Sequence, residues 1–167
     1  MASRNPEQPN LLFILSDDQG SWAMGCAGNE EIRSPNLDRL AREGIRFDNF
    51  FCTSPVCSPA RASILTGRIP SQHGVHDFVS MPHDRAGKPD LAIPANSIHF
   101  LEGMPTYAEM LTGLGYDTCL SGKWHLGDSL QPRCGFQGWY PMPYGQSSYR
   151  NVPMVEDGEY TVYENTY

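Results

Sequence analysis

The sequence predicts an α/β domain with a mostly parallel sheet flanked by helices. Short apolar runs of strand length alternate with stretches of helical period, and the helical stretches open on Ser or Pro and stop at Gly. No internal repeat and no low-complexity segment interrupts the alternation.

Residues 1–9 form a polar extension with two prolines and no apolar signal-peptide core. Asn10 to Ser16 is a continuous apolar run closed by two acids, the pattern of a strand buried on both faces. Ser34 caps a helix with Pro35 at its first position; Leu37, Leu40 and Ala41 supply the i, i+3, i+4 stripe and Gly44 the stop. Ile45 to Phe51 is expected to be the next strand. A second helix is expected from Ser58 to Thr66, with Pro59 at its first position and Gly67 as breaker. Arg68 to Gly103 has little periodicity, and so long a loop inside a domain is usually functional or disordered. Thr106 to Leu114 returns to helical spacing, with Tyr107, Met110, Leu111 and Leu114 on one face and Gly115 as the stop. A strand follows over Tyr116 to Ser121, then Gly122-Lys123-Trp124-His125-Leu126-Gly127, and a weak strand lies near Tyr160 to Tyr163.

Composition narrows the function classes. Twelve Lys and Arg face 19 Asp and Glu in 167 residues, for a formal net charge of −7, which leaves no broad basic surface for nucleic acid. The longest apolar run, Leu11 to Leu15, is far short of a membrane span. As written, the chain is expected in the cytoplasm, or exported if a leader precedes it. Sixteen Gly and 14 Pro exceed the average usage of about 7% and about 5%, which argues for many turns and long loops. The five cysteines, Cys26, Cys52, Cys57, Cys119 and Cys134, form no CxxC pair and are expected to be free thiols, most of them buried.

Three polar clusters fall just after expected strands, where ligands bind in open α/β sheets. Asp17 and Asp18 repel one another at the end of the first strand, so they either bind a hard divalent cation, Ca²⁺ or Mg²⁺, or form a solvated turn. Cys57-Ser58-Pro59-Ala60-Arg61 puts a cysteine at a helix N-terminus, where free N–H groups and the macrodipole favour an anion. Arg61, one turn on, reaches the same anion with a bidentate fork. The alternative is a buried cysteine beside a surface arginine. Lys123 and His125, two apart, project to one side of an extended segment, with Trp124 turned into the core. One can hold an anionic oxygen and the other exchange protons, or both are simply solvated. His73 and His76 form an HxxH spacing near His83, but no element frames them as a zinc site. His73 is expected to pack at a site rim, and His83 and His99 to be solvated.

In this order the motifs resemble the type I sulfatases of the alkaline phosphatase superfamily. The resemblance runs from Pro9 through the Asp17-Asp18 pair to about Asp157-Gly158. It includes Pro35-Asn36-Leu37-Asp38-Arg39-Leu40-Ala41, the set Cys57 to Arg61 with Leu65-Thr66-Gly67-Arg68, and Gly122 to Gly127. It implies an alkaline-phosphatase-like fold and hydrolysis of a sulfate monoester to an alcohol and inorganic sulfate. A separate maturation enzyme would convert Cys57 to Cα-formylglycine, whose hydrate is a geminal diol. One diol oxygen attacks sulfur, and collapse of the other hydroxyl to the aldehyde expels sulfate. Asp17, Asp18 and the modified Cys57 are implied as ligands of Ca²⁺, or Mg²⁺. Arg61 and Lys123 would steady the diol and the sulfate, and His125 would act as base.

The resemblance also carries departures. The family's remaining metal ligands and a second Lys and His come later in its chains, whereas after Gly127 this sequence has no Lys or His and only Asp128 and Asp157. The expectation is therefore that residues 10–167 are the N-terminal part of a sulfatase catalytic domain, inactive alone. The same signature also serves phosphonate monoester hydrolases and phosphodiesterases, and an anion-binding fragment is the non-catalytic alternative. A sulfated small molecule or glycan is the expected substrate. Trp139, Tyr140 and Tyr144 either stack on its ring or pack internally.

Overall fold

The computed structural model describes residues 8–80, 99–143, 145, 147 and 149–164, so His83 and Tyr144 lie outside the described residues. The chain divides into two units, one ending at Phe50 and the other running from Phe51.

In the first unit a 3-10 turn, Gly25–Ala27, is tied to helix α1, Pro35–Glu43. Ser34 is the N-cap residue and Pro35 opens the helix, as the sequence predicts. The Ser34 hydroxyl accepts from the Gly25 N–H at 2.8 Å and donates to Asp38 at 2.9 Å. Asp38 also accepts from the Cys26 N–H at 2.7 Å, so one carboxylate on the first helical turn anchors the preceding turn. The two expected strands of this unit are not formed. Leu11 to Leu15 and Ile45 to Phe51 carry no ladder, and Leu12, Ile45, Phe50 and Phe51 are each more than 80% exposed. A strand exists only as part of a ladder, and among the described residues of this unit there is no second strand to supply one.

The second unit opens with helix α2, Cys57–Thr66, closed by Gly67 in the left-handed region. Val56 is its N-cap residue, so Pro59 is the third helical position rather than the first. Proline is tolerated there because the N–H groups of a first turn have no intrahelical acceptor. The expected loop after Arg68 begins with a short helix α3, Pro70–His73. Helix α4, Tyr107–Gly113, starts from a reciprocal cap in which Thr106 Oγ1 accepts from the Glu109 N–H and the Glu109 carboxylate accepts from the Thr106 N–H. Its expected apolar stripe is only partly used. Met110 and Leu114 are exposed, and Ala108 is the fully buried residue. The reason is close backbone packing: a Cβ on Gly135 would lie 2.6 Å from the Ala108 carbonyl carbon, so the 134–135 backbone sits directly against the helix.

Strand β1, Cys119–Lys123, pairs in parallel with β2, Gly138–Met142, so Lys123 lies within the strand rather than after it. β3, Val152–Glu156, and β4, Glu159–Tyr163, form an antiparallel hairpin around Asp157 and Gly158, both at positive φ. The described strands thus form two separate two-stranded sheets, one parallel and one antiparallel, rather than one mostly parallel sheet. The connection from β1 to β2 carries the core residues Trp124, Leu126 and Phe136, which meet Trp139 of β2 and Val155 of β3. Trp124 and Trp139 pack edge to face with centroids 5.0 Å apart, and the Trp139 indole N–H donates to the Ser129 carbonyl at 2.6 Å. Trp124 is thus turned into the core as expected, and Trp139 has the packing role. Tyr140 is exposed. Among the described residues no helix is long and apolar enough to cross a membrane.

Candidate active site

α2 begins with two N–H donors that have no acceptor inside the helix, those of Cys57 and Ser58. Pro59 has none, and the Ala60 N–H already bonds the Val56 carbonyl at 3.0 Å. Cys57 is therefore the first residue of a ten-residue helix whose positive dipole end is undischarged by any acid in the first turn. Cys57 is half-buried, and all five cysteines are free thiols; contrary to expectation none is fully buried, and Cys52 and Cys119 are exposed. Cys52 follows the unformed second strand, and Cys119 opens β1, which among the described residues pairs with β2 alone.

Two hydrogen-bonded bridges join this helix end to the carboxyl end of β1. In the first, the Arg61 guanidinium donates to the Lys123 carbonyl at 2.7 Å. In the second, Ser58 Oγ accepts from the Val79 N–H at 3.1 Å, and the Val79 carbonyl lies 2.9 Å from His125 Nε2. The bridges tie Arg61 and Ser58 of α2, the helix that Cys57 opens, to Lys123 and His125 at the end of β1.

His125 departs from the extended geometry expected of it. Its φ is 56°, between Gly122 and Gly127 at 102° and 92°, so the chain turns sharply and the ring is only 1% exposed. A carbonyl oxygen can only accept, so Nε2 is the donor of this hydrogen bond. The Phe78 ring stands edge-on to the imidazole at 4.5 Å, and the Gly145 backbone lies so close that a Cβ there would collide with the ring. Sequence reasoning missed both Val79 and Gly145. Only the proximity of Val79 to the signature helix could have hinted at it, because the contact is made by backbone.

Asp17 and Asp18 belong to the first unit. Both are exposed, and Asp18 has a φ of 61°. Two adjacent carboxylates are hard oxygen donors, which suits Ca²⁺ or Mg²⁺. Among the described residues no group of three or more His, Cys, Asp or Glu comes together.

His73 is a structural tie rather than part of the site. Its Nδ1 accepts from the Val75 N–H at 3.1 Å, and its Nε2 faces Ser63 Oγ on α2 at 2.9 Å. Burial, with the nearby His76, holds its pKa below the usual histidine value. His76 is exposed; His99, also exposed, contacts Arg133, which is ion-paired to the buried Asp128.

The α/β scaffold thus carries a cysteine at a helix N-terminus, an arginine one turn on, and a lysine and a buried histidine at a strand end. The chain matches the family model described as Sulfatase over residues 9–164, and it belongs to that family. It is 39% identical to steryl-sulfatase of Mus musculus over 148 residues, covering 89% of this chain and 22% of that protein. It is 35% identical to N-acetylgalactosamine-6-sulfatase of Homo sapiens over 167 residues, covering 95% and 31%. It is 39% identical to arylsulfatase A of Homo sapiens over 141 residues, covering 81% and 25%.

Among solved structures, one in complex with its substrate D-glucosamine-2-N,6-O-disulfate superposes with a TM-score of 0.72 at 32% identity, covering 95% of this chain and 28% of that one. A second, from glycosaminoglycan metabolism in Bacteroides thetaiotaomicron, gives a TM-score of 0.72 at 28% identity, covering 92% and 32%. The chain therefore spans 22% to 31% of the length of these curated relatives. Its α/β architecture is the corresponding part of the alkaline-phosphatase-like sulfatase fold.

Proposed function

We propose that the protein carrying this chain hydrolyses a sulfate monoester to an alcohol and inorganic sulfate. The observation that carries the reading is the double bridge that sets the N-terminus of α2, with Cys57 and Arg61, against Lys123 and His125. A tetrahedral sulfate at the start of α2 would accept from the helix N–H donors, while Arg61 and Lys123 offset its charge. His125, held through Nε2 to the Val79 carbonyl, would serve as the base of the reaction.

Cys57 is the residue that would be matured to formylglycine by a separate enzyme. The hydrated aldehyde supplies a nucleophilic oxygen and a second hydroxyl that lets the sulfate leave. Asp17 and Asp18 would contribute oxygen ligands to a Ca²⁺ or Mg²⁺ ion, which lowers the pKa of a bound hydroxyl and neutralises sulfate charge. A sulfated glycan is the favoured substrate class, since one relative is an N-acetylgalactosamine-6-sulfatase and one structural neighbour holds a disulfated glucosamine.

Mass spectrometry of the Cys57 peptide, after co-expression of the intact protein with a maturing enzyme, tests the nucleophile: an aldehyde is expected, and an unmodified thiol counts against it. Turnover of an aryl sulfate in preference to an aryl phosphonate monoester is expected. The opposite preference would move the protein to the phosphonate hydrolases, and turnover of neither would leave an anion-binding module.

A further inference from the structure

Residues 74–79 form a strap that meets His125 and is pinned to α2 at both ends. At the far end the Val79 N–H donates to Ser58 Oγ at 3.1 Å, while the Val79 carbonyl and the Phe78 ring contact the His125 imidazole. At the near end His73 Nε2 lies 2.9 Å from Ser63 Oγ, and His73 Nδ1 accepts from the Val75 N–H at 3.1 Å. Ser63 Oγ also accepts from Thr53 Oγ1 at 2.7 Å.

The near pin works only with a neutral ring. A backbone N–H can only donate, so Nδ1 presents its lone pair to Val75, and the proton of the neutral imidazole sits on Nε2, toward Ser63. Protonation puts a second N–H on Nδ1, facing the Val75 N–H, and leaves a cation on a residue only 1% exposed. Among the described residues nothing offsets that charge. Thr53, Ser63 and Val75 are uncharged, and the titratable group that bears on the ring is His76, which adds repulsion. Burial and then His76 accordingly hold the His73 pKa below the usual histidine value. A proton is taken up when the ring leaves its pocket, and Val75, two residues on, goes with it. Gly74, His76, Asp77 and Phe78 are exposed, so little besides the Ser58 bond then retains the strap.

We propose that His73 is an acid-sensitive pin: uptake of a proton unlatches residues 74–79 and withdraws Phe78 and Val79 from His125. His73 is thereby a positioning residue for the site rather than a catalytic one. The proposal rests on the sulfate-ester hydrolase reading only for its kinetic consequence; the unlatching is a property of the fold.

Amide hydrogen exchange of the intact protein, expressed as protection relative to the intrinsic rate at each pH, compares residues 74–79 with β2 at about pH 7.5 and about pH 5.5. An unlatched His73 titrates at its ordinary value of 6.5, so strap protection should fall by up to about tenfold at the lower pH while β2 keeps its own. His73→Asn offers Val75 an amide oxygen in the same i to i+2 bond and takes up no proton, so its strap protection should not respond to acid. Aryl sulfate turnover is followed over the same range. The two proteins should agree at the upper pH, and the wild type should lose kcat more steeply toward acid.

Should His73→Asn not fold, the wild-type comparison of strap with β2 decides alone. Strap protection that holds in acid, that falls together with β2, or that falls equally in the Asn variant would overturn the proposal, as would acid limbs of kcat that do not differ. Unlatching without turnover of any sulfate ester would sink the hydrolase reading and leave the pin standing. Turnover with a strap indifferent to acid would do the reverse.

Discussion

Gly135 is the position where a single methyl group should do most harm for a reason that can be separated into parts. Its φ is 85°, a conformation that costs an L-residue about 1–2 kcal/mol. An added Cβ would also lie 2.6 Å from the Ala108 carbonyl carbon, in backbone that cannot swing aside as a side chain would. The loop is held in place by its own carbonyl, which accepts from Thr112 Oγ1 at 2.9 Å and from Thr118 Oγ1 at 2.6 Å. Relieving the collision therefore means breaking those bonds or shifting α4, an overpacking cost of about 1–3 kcal/mol.

Gly115 provides the control. Its φ is 86°, but nothing lies within 4 Å of the built Cβ. Gly115→Ala should cost only the conformational part, about 1–2 kcal/mol, and Gly135→Ala should cost about 2–5 kcal/mol. Urea unfolding followed by tryptophan fluorescence suits the comparison, because Trp124 and Trp139 sit in the core of the same unit. Equal losses for the two variants, within about 0.5 kcal/mol, would refute the claim that the 134–135 backbone is clamped on α4.

Two further outcomes follow from titratable groups. Burial and the neighbouring His76 depress the His73 pKa, so the folded state binds fewer protons there than the unfolded chain. Stability should therefore fall as pH drops through the unfolded value near about 6.5 and level off below the folded one. His73→Gln should flatten that part of the profile, and an unchanged slope in urea midpoints would refute the assignment. Cys134, with its thiol pushed up to about 11 by burial and then by Glu109, should be the slowest of the five cysteines to alkylate at pH 8. Its thiolate fraction there is about one in a thousand. Peptide mapping after timed iodoacetamide treatment checks this, and early labelling of Cys134 would contradict the burial.

The helices were legible because their signals are local. Ser34-Pro35 and Gly44 bracket α1, and Gly67 closes α2, since caps and stops depend on a few neighbouring residues. The strands were legible only in part, Tyr116 to Ser121 overlapping β1 and Tyr160 to Tyr163 lying within β4, because a strand is completed by partners distant in sequence. Leu11 to Leu15 has the composition of a buried strand and yet stands exposed without a ladder. β3 is a different kind of miss. Asp157-Gly158 is a strong two-residue turn signal, and its flanks alternate only weakly because Pro153 and Glu156 interrupt the apolar pattern.

The site shows why residue types can be read when their directions cannot. Cys57, Arg61, Lys123 and His125 are identifiable because each brings chemistry that few other residues share. Placing Lys123 and His125 on one side of an extended segment assumes a strand-like φ at both, and His125 instead adopts 56°. The glycines at 122 and 127 signal a strained turn, since both occupy positive φ, but they do not say which residue between them joins the left-handed region. The decision is made by partners far along the chain. The Val79 carbonyl and the Phe78 edge receive the ring only in that orientation, and Gly145 leaves it room. Two of the three act through backbone or through the absence of a side chain, which a motif of side-chain identities does not encode. The geometry of the histidine is thus a property of the tertiary fold rather than of the motif.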